Sequence, residues 1–341
     1  MWLHIFTCAV VSAIAAAGSA TTARGNAMCI LFACRNFTTF HFGRVDFGAR
    51  LVDDVMALPA SLTGAEGGCA AGADDGQFYI PNANVAYNDL LEVNLLAKTT
   101  TSRTIAPPAA YAGTTPAFYT MQLNTAANDV WALFESSTVS WVATATVFPN
   151  NGTSVATSSN FRAQWLADFA WRKAGVAAVD SKRGLLFFVA GVPKGGANVE
   201  TLVGVPVGDP AAPVRFSLLP GPSGVSADID FLGYSAQHDL FVASCFSITT
   251  GVASIKTMPA GAGGAGGWAT VFEWPQGAAG DFELGNGALA EDGGTLFVAL
   301  TGSDGRAAYY AFEVPTGKLL ANFSVADSNY AGLVTAEVVA C

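Results

Sequence analysis

Acidic and amide side chains gather at the start of two strand-like runs in the second half of the chain. Asp228 and Asp230 enter one run, and Asp281, Glu283 and Asn286 enter the next. Carboxylate and amide oxygens are the ligands of a hard cation such as Ca²⁺, which takes about six to eight of them. These five residues are therefore candidate metal ligands, with solvated loop acids as the alternative interpretation.

A second candidate site is aromatic. Trp165 and Trp171, with Arg172, fall in the segment 161–174, which we expect to connect two repeats and to be exposed. An exposed pair of indole rings beside a cation is typical of a partner-binding patch. The other tryptophans occur on or beside strand-like runs, where packing between sheets is the expected use of a large apolar ring.

Nucleophilic catalysis is disfavoured. A Ser/His/Asp hydrolase would have to use His41 or His238, which lie far apart in the chain, and no Gly-x-Ser-x-Gly elbow accompanies them. Cys29 and Cys34 are not spaced like a zinc site, because no second Cys/His pair follows them.

The N-terminus predicts export. Residues 2–17 carry no full charge and precede Gly18, Ser19 and Ala20, small residues that a signal peptidase accepts. We expect a signal peptide over 1–20, a single domain over 21–341 and a secreted protein; an uncleaved anchor is the alternative. No later segment is long and apolar enough to span a membrane as a helix. Sequons at Asn36, Asn151 and Asn322 fit a secreted glycoprotein.

The charge balance disfavours one class of partner. The formal net charge is −10 and the Lys and Arg residues form no cluster. Binding to a phosphate backbone needs such clusters, so nucleic acid is disfavoured.

The chain behind these residues is repetitive. Runs such as RGLLFFV, QHDLFVA and GGTLFVA recur about every 54 residues, and a second marker at the end of the following strand recurs with the same period. The many Gly and Pro residues punctuate these runs, and no segment after residue 20 keeps a helical period, which predicts an all-β fold.

Four strands per repeat and six repeats predict a six-bladed β-propeller, with seven blades as the alternative. The first repeat lacks room for its first strand. Residues 332–340 match that strand, so we expect the C-terminal strand to join the first blade.

Closure of this kind predicts a disulfide between Cys29 and Cys341, because the ends of the split blade would lie side by side. Cys34 and Cys69 are a weaker candidate pair at one face of adjacent blades. Cys245 is then the odd cysteine. The alternative is that all of these thiols are reduced.

Two stretches carry a family resemblance. The first is Phe78-Tyr79-Ile80-Pro81-Asn82 with Leu91-Glu92-Val93, and the second is Val314-Pro315-Thr316-Gly317-Lys318. They resemble the repeats of YVTN-type and NHL-type propellers. Such propellers include lactonases, hydrolases, cofactor enzymes and binding proteins, so the resemblance implies the fold and no single function.

The expected function is binding of a protein or small ligand at one face, without catalysis by this chain. The alternative is a Ca²⁺-type hydrolase or lactonase similar to the six-bladed gluconolactonases. In that enzyme Asp230 and Glu283 would hold the cation and a bound water would attack the substrate.

Overall fold

The computed structural model describes residues 28–33, 40–59, 70–71, 77–82, 89–104, 117–124, 129–135, 140–147, 154–160, 171–194, 197–206, 215–218, 227–247, 250–261, 267–275, 282–290, 292–302, 307–325 and 334–340. All regular elements in these ranges are β-strands, which confirms the predicted all-β class.

The strands of the described ranges form six four-stranded antiparallel sheets. Sheet 1 contains, in spatial order, β24 (Val334–Ala340), β1 (Met28–Ala33), β2 (Phe40–Asp46) and β3 (Leu51–Ala57). Sheet 2 contains β4 (Ala70–Ala71), β5 (Gln77–Asn82), β6 (Asp89–Asn94) and β7 (Thr99–Thr104). Sheet 3 contains β8 (Ala117–Asn124), β9 (Asp129–Glu135), β10 (Ser140–Val147) and β11 (Ser154–Asn160).

The second half of the chain forms the other three sheets. Sheet 4 contains β12 (Trp171–Asp180), β13 (Leu185–Lys194), β14 (Ala197–Pro206) and β15 (Arg215–Leu218). Sheet 5 contains β16 (Ala227–Ser235), β17 (Leu240–Ser247), β18 (Val252–Pro259) and β19 (Ala269–Glu273). Sheet 6 contains β20 (Phe282–Leu289), β21 (Thr295–Gly302), β22 (Ala307–Glu313) and β23 (Leu319–Val325).

We call the first strand of each spatial order the inner strand: β24, β4, β8, β12, β16 and β20. Inner strands of successive sheets lie beside each other, from β4 to β8, β12, β16, β20 and β24, and β24 also lies beside β4. Within sheet 1, β24 pairs antiparallel with β1, and Ile30 is opposite Val338. The two recurrent markers fall, as predicted, in the second and third strands of successive sheets.

One turn geometry recurs between neighbouring strands. The Asp46 carboxylate accepts a hydrogen bond from the backbone N–H of Ala49 at 2.8 Å, and the Asn94 amide oxygen does the same for Ala97 at 2.8 Å. The residue that follows each donor, Arg50 or Lys98, has a left-handed backbone with φ of 56° or 53°. A short polar side chain that bonds its own turn is typical of such tight connections.

Apolar side chains fill the space between adjacent sheets. The layer between sheets 4 and 5 includes Phe187, Leu232 and Phe241, and Trp268 packs against it. The layer between sheets 5 and 6 includes Trp274, so these two tryptophans pack between sheets as predicted. Sheet 5 therefore buries apolar side chains on both of its faces.

Sheet 1 is packed on both sides. Val45 and Val52 lie in one buried cluster with residues of sheet 6, and the Phe47 ring is 5.7 Å from the Phe323 ring. On the other side, the rings of Phe42 and Phe78 are 4.7 Å apart and join sheet 1 to sheet 2.

One sequence assignment is wrong. We expected residues 161–174 to connect two repeats, but β12 begins at Trp171, so Trp171 and Arg172 belong to an inner strand. Arg172 is opposite Ala190 of β13. The bulge that follows Arg172 breaks the strand periodicity, which hid the start of the strand from the sequence pattern.

Among the described residues no helix is long and apolar enough to cross a membrane. The predicted signal peptide, Trp165, Cys34, Cys69, Cys341, Asp281, Asn36 and Asn151 lie outside the described residues.

Candidate functional site

The inner strand of sheet 5 contains a β-bulge at a predicted ligand. Ile229 is opposite Cys245 and Phe231 is opposite Ser244, so Asp230 is an additional residue on β16. Bulges re-aim side chains and are over-represented beside functional sites. Asp230 is half-buried at this position.

Side-chain packing agrees with the bulge. Ile229 is buried between sheets 4 and 5, whereas Phe231, two residues later, packs between sheets 5 and 6. Residues two apart on a regular strand face the same side. The opposite faces of Ile229 and Phe231 therefore mark Asp230 as the inserted residue.

The Phe231 ring fixes the contact between β16 and β20. A Cβ at Gly233 would lie 2.8 Å from Cζ of Phe231, and a Cβ at Gly287 would lie 2.7 Å from its Cγ. Only glycine leaves room for the ring at these positions. The Phe231 ring thus packs against Gly233 of its own strand and Gly287 of the next inner strand, and it joins the two strands that carry the predicted acids.

Register shifts recur in the other inner strands. In β20 the shift falls between Leu284 and Gly287 and includes Asn286. In β12 it falls between Arg172 and Ala177. Register shifts also occur in β8 and β24. Among the described inner strands, only β4, which has two residues, pairs without a register shift.

The structure brings the two predicted sites onto three consecutive inner strands. Trp171 and Arg172 open β12, Asp228 and Asp230 lie early in β16, and Glu283 and Asn286 are the second and fifth residues of β20. β16 lies beside both β12 and β20. We call this group the inner-strand sector: Trp171, Arg172, Asp228, Asp230, Glu283 and Asn286.

All six members precede the turn into the second strand, so the sector lies at the end of the inner strands away from those turns. The turns themselves are close together, because Arg183 and Asp239 bond across sheets 4 and 5, and Ser235 and Gly293 bond across sheets 5 and 6. The strand ends that hold the sector therefore lie at the opposite end of the inner strands from these turns. The structure describes the side chain of Asp230 alone among the six, and the described residues contain no group of three metal-ligating side chains.

The turns at the other end carry a charge network that the sequence pattern missed. The Arg183 guanidinium donates to both carboxylate oxygens of Asp239 at 2.8 Å, and also to the Asp180 carboxylate at 2.7 Å. The Tyr234 hydroxyl donates to Asp239 at 2.8 Å. Asp180 is completely buried, whereas the Asp239 side chain is 37% exposed.

This network shifts the acid–base properties of its members. The hydrogen bonds from Arg183 and then Tyr234 lower the pKa of Asp239 from 3.8 to about 2. Burial, followed by the bond to Asp239, raises the pKa of Tyr234. Hydrogen bonds to Asp239 and Asp180 raise the pKa of Arg183. All three groups keep their ordinary charges near neutrality, so the network links sheets 4 and 5 instead of acting as an acid or base.

A related link joins the next two sheets. The buried Ser235 hydroxyl donates to the carbonyl of Gly293 at 2.8 Å, across 58 residues of sequence. The Arg183–Asp239 pair spans 56 residues. Both separations are close to the sequence period of about 54 residues. A search for hydrogen-bonding partners at equivalent turn positions of consecutive repeats could therefore have predicted these links.

The modification sites are placed as follows. Asn322 is exposed on the outer strand β23. Cys29 is opposite Val339 on β24, and its predicted partner Cys341 is beyond the described end of that strand. Cys245 is buried in the layer between sheets 4 and 5. The glycosylation and disulfide assignments stay predictions.

No family model matches the sequence, and it matches no curated protein. Similarity to solved structures is extensive. The chain is similar to TolB from Acinetobacter baumannii, with a TM-score of 0.55 and 8% identity over 92% of this chain and 66% of TolB. It is also similar to AofleA from Arthrobotrys oligospora, with a TM-score of 0.51 and 13% identity over 82% of this chain and 75% of that one.

A third similar structure is a protein of unknown function from Bacteroides thetaiotaomicron, with a TM-score of 0.51 and 12% identity over 80% of this chain and 60% of that one. At these identities the likeness concerns the fold alone. The comparisons and the small antiparallel sheets together support a β-propeller fold.

Proposed function

We propose that this protein is a secreted six-bladed β-propeller that binds a ligand at the inner-strand sector. The observation that carries the proposal is the bulge at Asp230, beside strands that hold the other members of the sector. The chain supplies binding without catalysis of its own.

The blade count and the closure are part of the proposal. Six four-stranded sheets, inner strands that adjoin in succession and the pairing of β24 with β1 support a ring of six blades. In such a ring the C-terminal strand completes the first blade, and the inner strands line a central channel. The seven-bladed alternative would need a further sheet.

The sector lies at one mouth of that channel, and its composition favours a cationic ligand. Three carboxylates against one guanidinium leave the sector acidic, in a chain of formal charge −10. Carboxylates pair with ammonium groups, and the face of an indole such as Trp171 attracts a cation as well. We therefore propose a ligand with an ammonium group, and we exclude nucleic acid.

The test is titration calorimetry with spermidine and choline. The wild-type protein should bind one of these probes, and Asp230→Asn should weaken its affinity by about tenfold or more, as expected for a charge-assisted bond. Asp292→Asn is the matched control, because Asp292 is an exposed acid in the turn at the other end of the inner strands. Absence of binding, or equal losses in both variants, would reject the cationic-ligand proposal.

The alternative function is a Ca²⁺-type hydrolase. It is favoured by the position of Asp228, Asp230, Glu283 and Asn286 on the adjoining strands β16 and β20, since all four side chains are oxygen ligands. These residues would hold the ion, and the ion would lower the pKa of an attacking water.

Calcium alone separates the two functions. For the hydrolase, millimolar Ca²⁺ should raise the melting temperature of the wild-type protein and leave that of Glu283→Gln nearly unchanged, because a ligand that binds only the folded state stabilises it. For the binding protein, Ca²⁺ should have no effect, whereas the ammonium probe should raise the melting temperature.

A further inference from the structure

Four large apolar side chains are exposed among those that the structure describes. They are Leu51 at 40% exposure, Leu96 at 75%, Leu319 at 38% and Leu320 at 49%. They belong to sheets 1, 2 and 6, which are neighbours in the succession 6–1–2. Single exposed leucines are ordinary, but four of them on three consecutive sheets indicate an interaction surface.

The four leucines share one structural position. Leu51 begins β3 and Leu96 lies in the turn between β6 and β7, while Leu319 and Leu320 begin β23. Each is therefore at the turn between the third and the outermost strand of its sheet. In an antiparallel meander this turn lies at the same face as the turn between the first and second strands, which is the face of the Arg183–Asp239 network.

An exposed cation accompanies the leucines in every one of these turns. Arg50 directly precedes Leu51, Lys98 follows Leu96 by two residues, and Lys318 directly precedes Leu319. Within the described residues none of these three cations forms an ion pair. We call this surface the leucine–cation rim: Arg50, Leu51, Leu96, Lys98, Lys318, Leu319 and Leu320.

The nearest acids do not cancel the rim. Asp46 caps its own turn by accepting the N–H of Ala49, and Asp54, further along β3, is bonded to Nδ1 of His41 at 2.9 Å. Asp53 also lies along β3, past the turn. In the turn of Lys318, the Glu313 carboxylate accepts a hydrogen bond from the Thr316 hydroxyl at 2.6 Å. Asp46 and Glu313 are thus bonded within their own turns, and no ion pair among the described residues neutralises the three cations.

The corresponding segments of the other three sheets differ in sequence. Residues 148–153, 207–214 and 260–268 contain no Lys or Arg. The chain holds 16 basic residues in all against 26 acidic ones, so a cation in each of three successive turns is a local reversal of the overall charge. The three cations of the rim thus have no counterpart in the corresponding segments of sheets 3, 4 and 5.

We propose that the leucine–cation rim docks on a membrane surface that contains anionic lipids. Leucine side chains at the tips of turns insert among acyl chains, and adjacent cations bind the lipid phosphates, which is the chemistry of interfacial attachment. The three turns of the rim lie at the same face of neighbouring sheets, so all three can contact one flat surface at the same time. A bilayer fits this geometry better than a globular partner with a single knob or groove.

The rim and the inner-strand sector lie on opposite faces, so docking leaves the sector open to solvent. The proposal depends on the order of sheets 6, 1 and 2 and not on the ligand of the sector. Loss of lipid binding and loss of ammonium binding are therefore separable results.

The test is co-sedimentation with vesicles of phosphatidylcholine alone or mixed with phosphatidylglycerol. The purified full chain should bind the mixed vesicles, bind pure phosphatidylcholine weakly, and dissociate as salt increases. The triple variant Arg50→Asn, Lys98→Gly and Lys318→Asn should lower the partition coefficient by about a hundredfold, roughly fivefold for each cation. Asparagine and glycine are chosen at the first two positions because both tolerate the left-handed backbone of Arg50 and Lys98, and glycine creates no sequon before Thr100.

Two further variants complete the test. Leu96→Gln with Leu320→Thr should weaken binding by about tenfold or more at every salt concentration, since insertion of apolar groups is not screened. The charge-matched control Arg44→Asn, Lys194→Asn and Lys256→Asn changes two cations within strands and one, Lys194, at the end of β13 on the opposite face, and should retain at least half of the wild-type partition coefficient. Equal losses in the two charge variants, absence of wild-type binding, or a dimer that forms through the rim would overturn the proposal.

Discussion

The guanidinium of Arg183 in sheet 4 and the carboxylate of Asp239 in sheet 5 form a bidentate ion pair, with both N–O distances at 2.8 Å. The same guanidinium bonds the completely buried Asp180. A bidentate Arg–carboxylate pair is stronger and more directional than an ordinary surface ion pair. The contact therefore fixes the angle between two sheets at the end of the inner strands.

Arg183→Ala should destabilise the fold by about 2–3 kcal/mol, because it leaves the buried Asp180 carboxylate without its cation. The loss is below that of a fully buried pair, since Arg183 is 29% exposed. Urea unfolding of the purified protein measures it. Lys182→Ala, one residue earlier in the same turn, should change stability by no more than about 0.5 kcal/mol. Equal effects of the two substitutions would contradict the role of Arg183.

The ion pair also predicts an acid dependence. Because the pKa of Asp239 falls from 3.8 to about 2 on folding, its contribution is complete above pH 3.8 and is lost as the pH falls through about 2. The stability difference between wild type and Asp239→Asn should therefore be constant from about pH 5 to 8 and shrink below that range. A difference that stays constant down to pH 2 would show that the carboxylate is not held by Arg183.

The contact between β16 and β20 predicts a steric effect. Gly287→Ala would place a Cβ 2.7 Å from the Phe231 ring, which should destabilise the fold by about 1–3 kcal/mol and displace the bulge at Asp230. Adding Phe231→Leu should recover part of the loss, since it removes the clashing ring. Gly48→Ala is the control, because its nearest neighbour is a side-chain oxygen at 3.3 Å. The melting temperatures of the wild type, Gly287→Ala, Gly48→Ala and the double variant Gly287→Ala with Phe231→Leu measure these effects.

The cysteines give a chemical prediction. We expect bridges from Cys29 to Cys341 and from Cys34 to Cys69, while Cys245, which is 3% exposed in the core, should react with a thiol reagent only after unfolding. Peptide mapping without reduction distinguishes these outcomes. Alkylation of Cys341 in the native, unreduced protein would rule out its bridge to Cys29.

Much of the fold was predictable because each strand is bounded by local signals. The continuous apolar run from Leu296 to Leu300 and the turn residues around Gly317 are signals that act within a few residues, and they recur in each repeat. The predicted inner strand near the C-terminus also corresponds to an element of the structure, β24.

The rest depends on contacts between distant residues. The bulge at Asp230 appears only in the register of β16 against β17, and the Arg183–Asp239 pair joins residues that are 56 positions apart. The start of β12 was missed because its first residues, Trp171 and Arg172, precede a register shift and lack a clean alternation. The grouping of Asp230 with Trp171 into one sector required the succession of inner strands, which no local pattern reveals.

The pairing of β24 with β1 is the most direct test of the proposed ring. Ile30→Cys and Val338→Cys place two thiols at directly opposite positions of this pair, within bridging distance of about 7 Å. The account predicts that this double variant forms the 30–338 disulfide spontaneously under air, identified by peptide mapping, and melts at a higher temperature than its reduced form. The mismatched variant with Ile30→Cys and Val334→Cys should not bridge, because Val334 is opposite Ala33. Bridging in the mismatched variant, or none in the matched one, would contradict closure by the C-terminal strand.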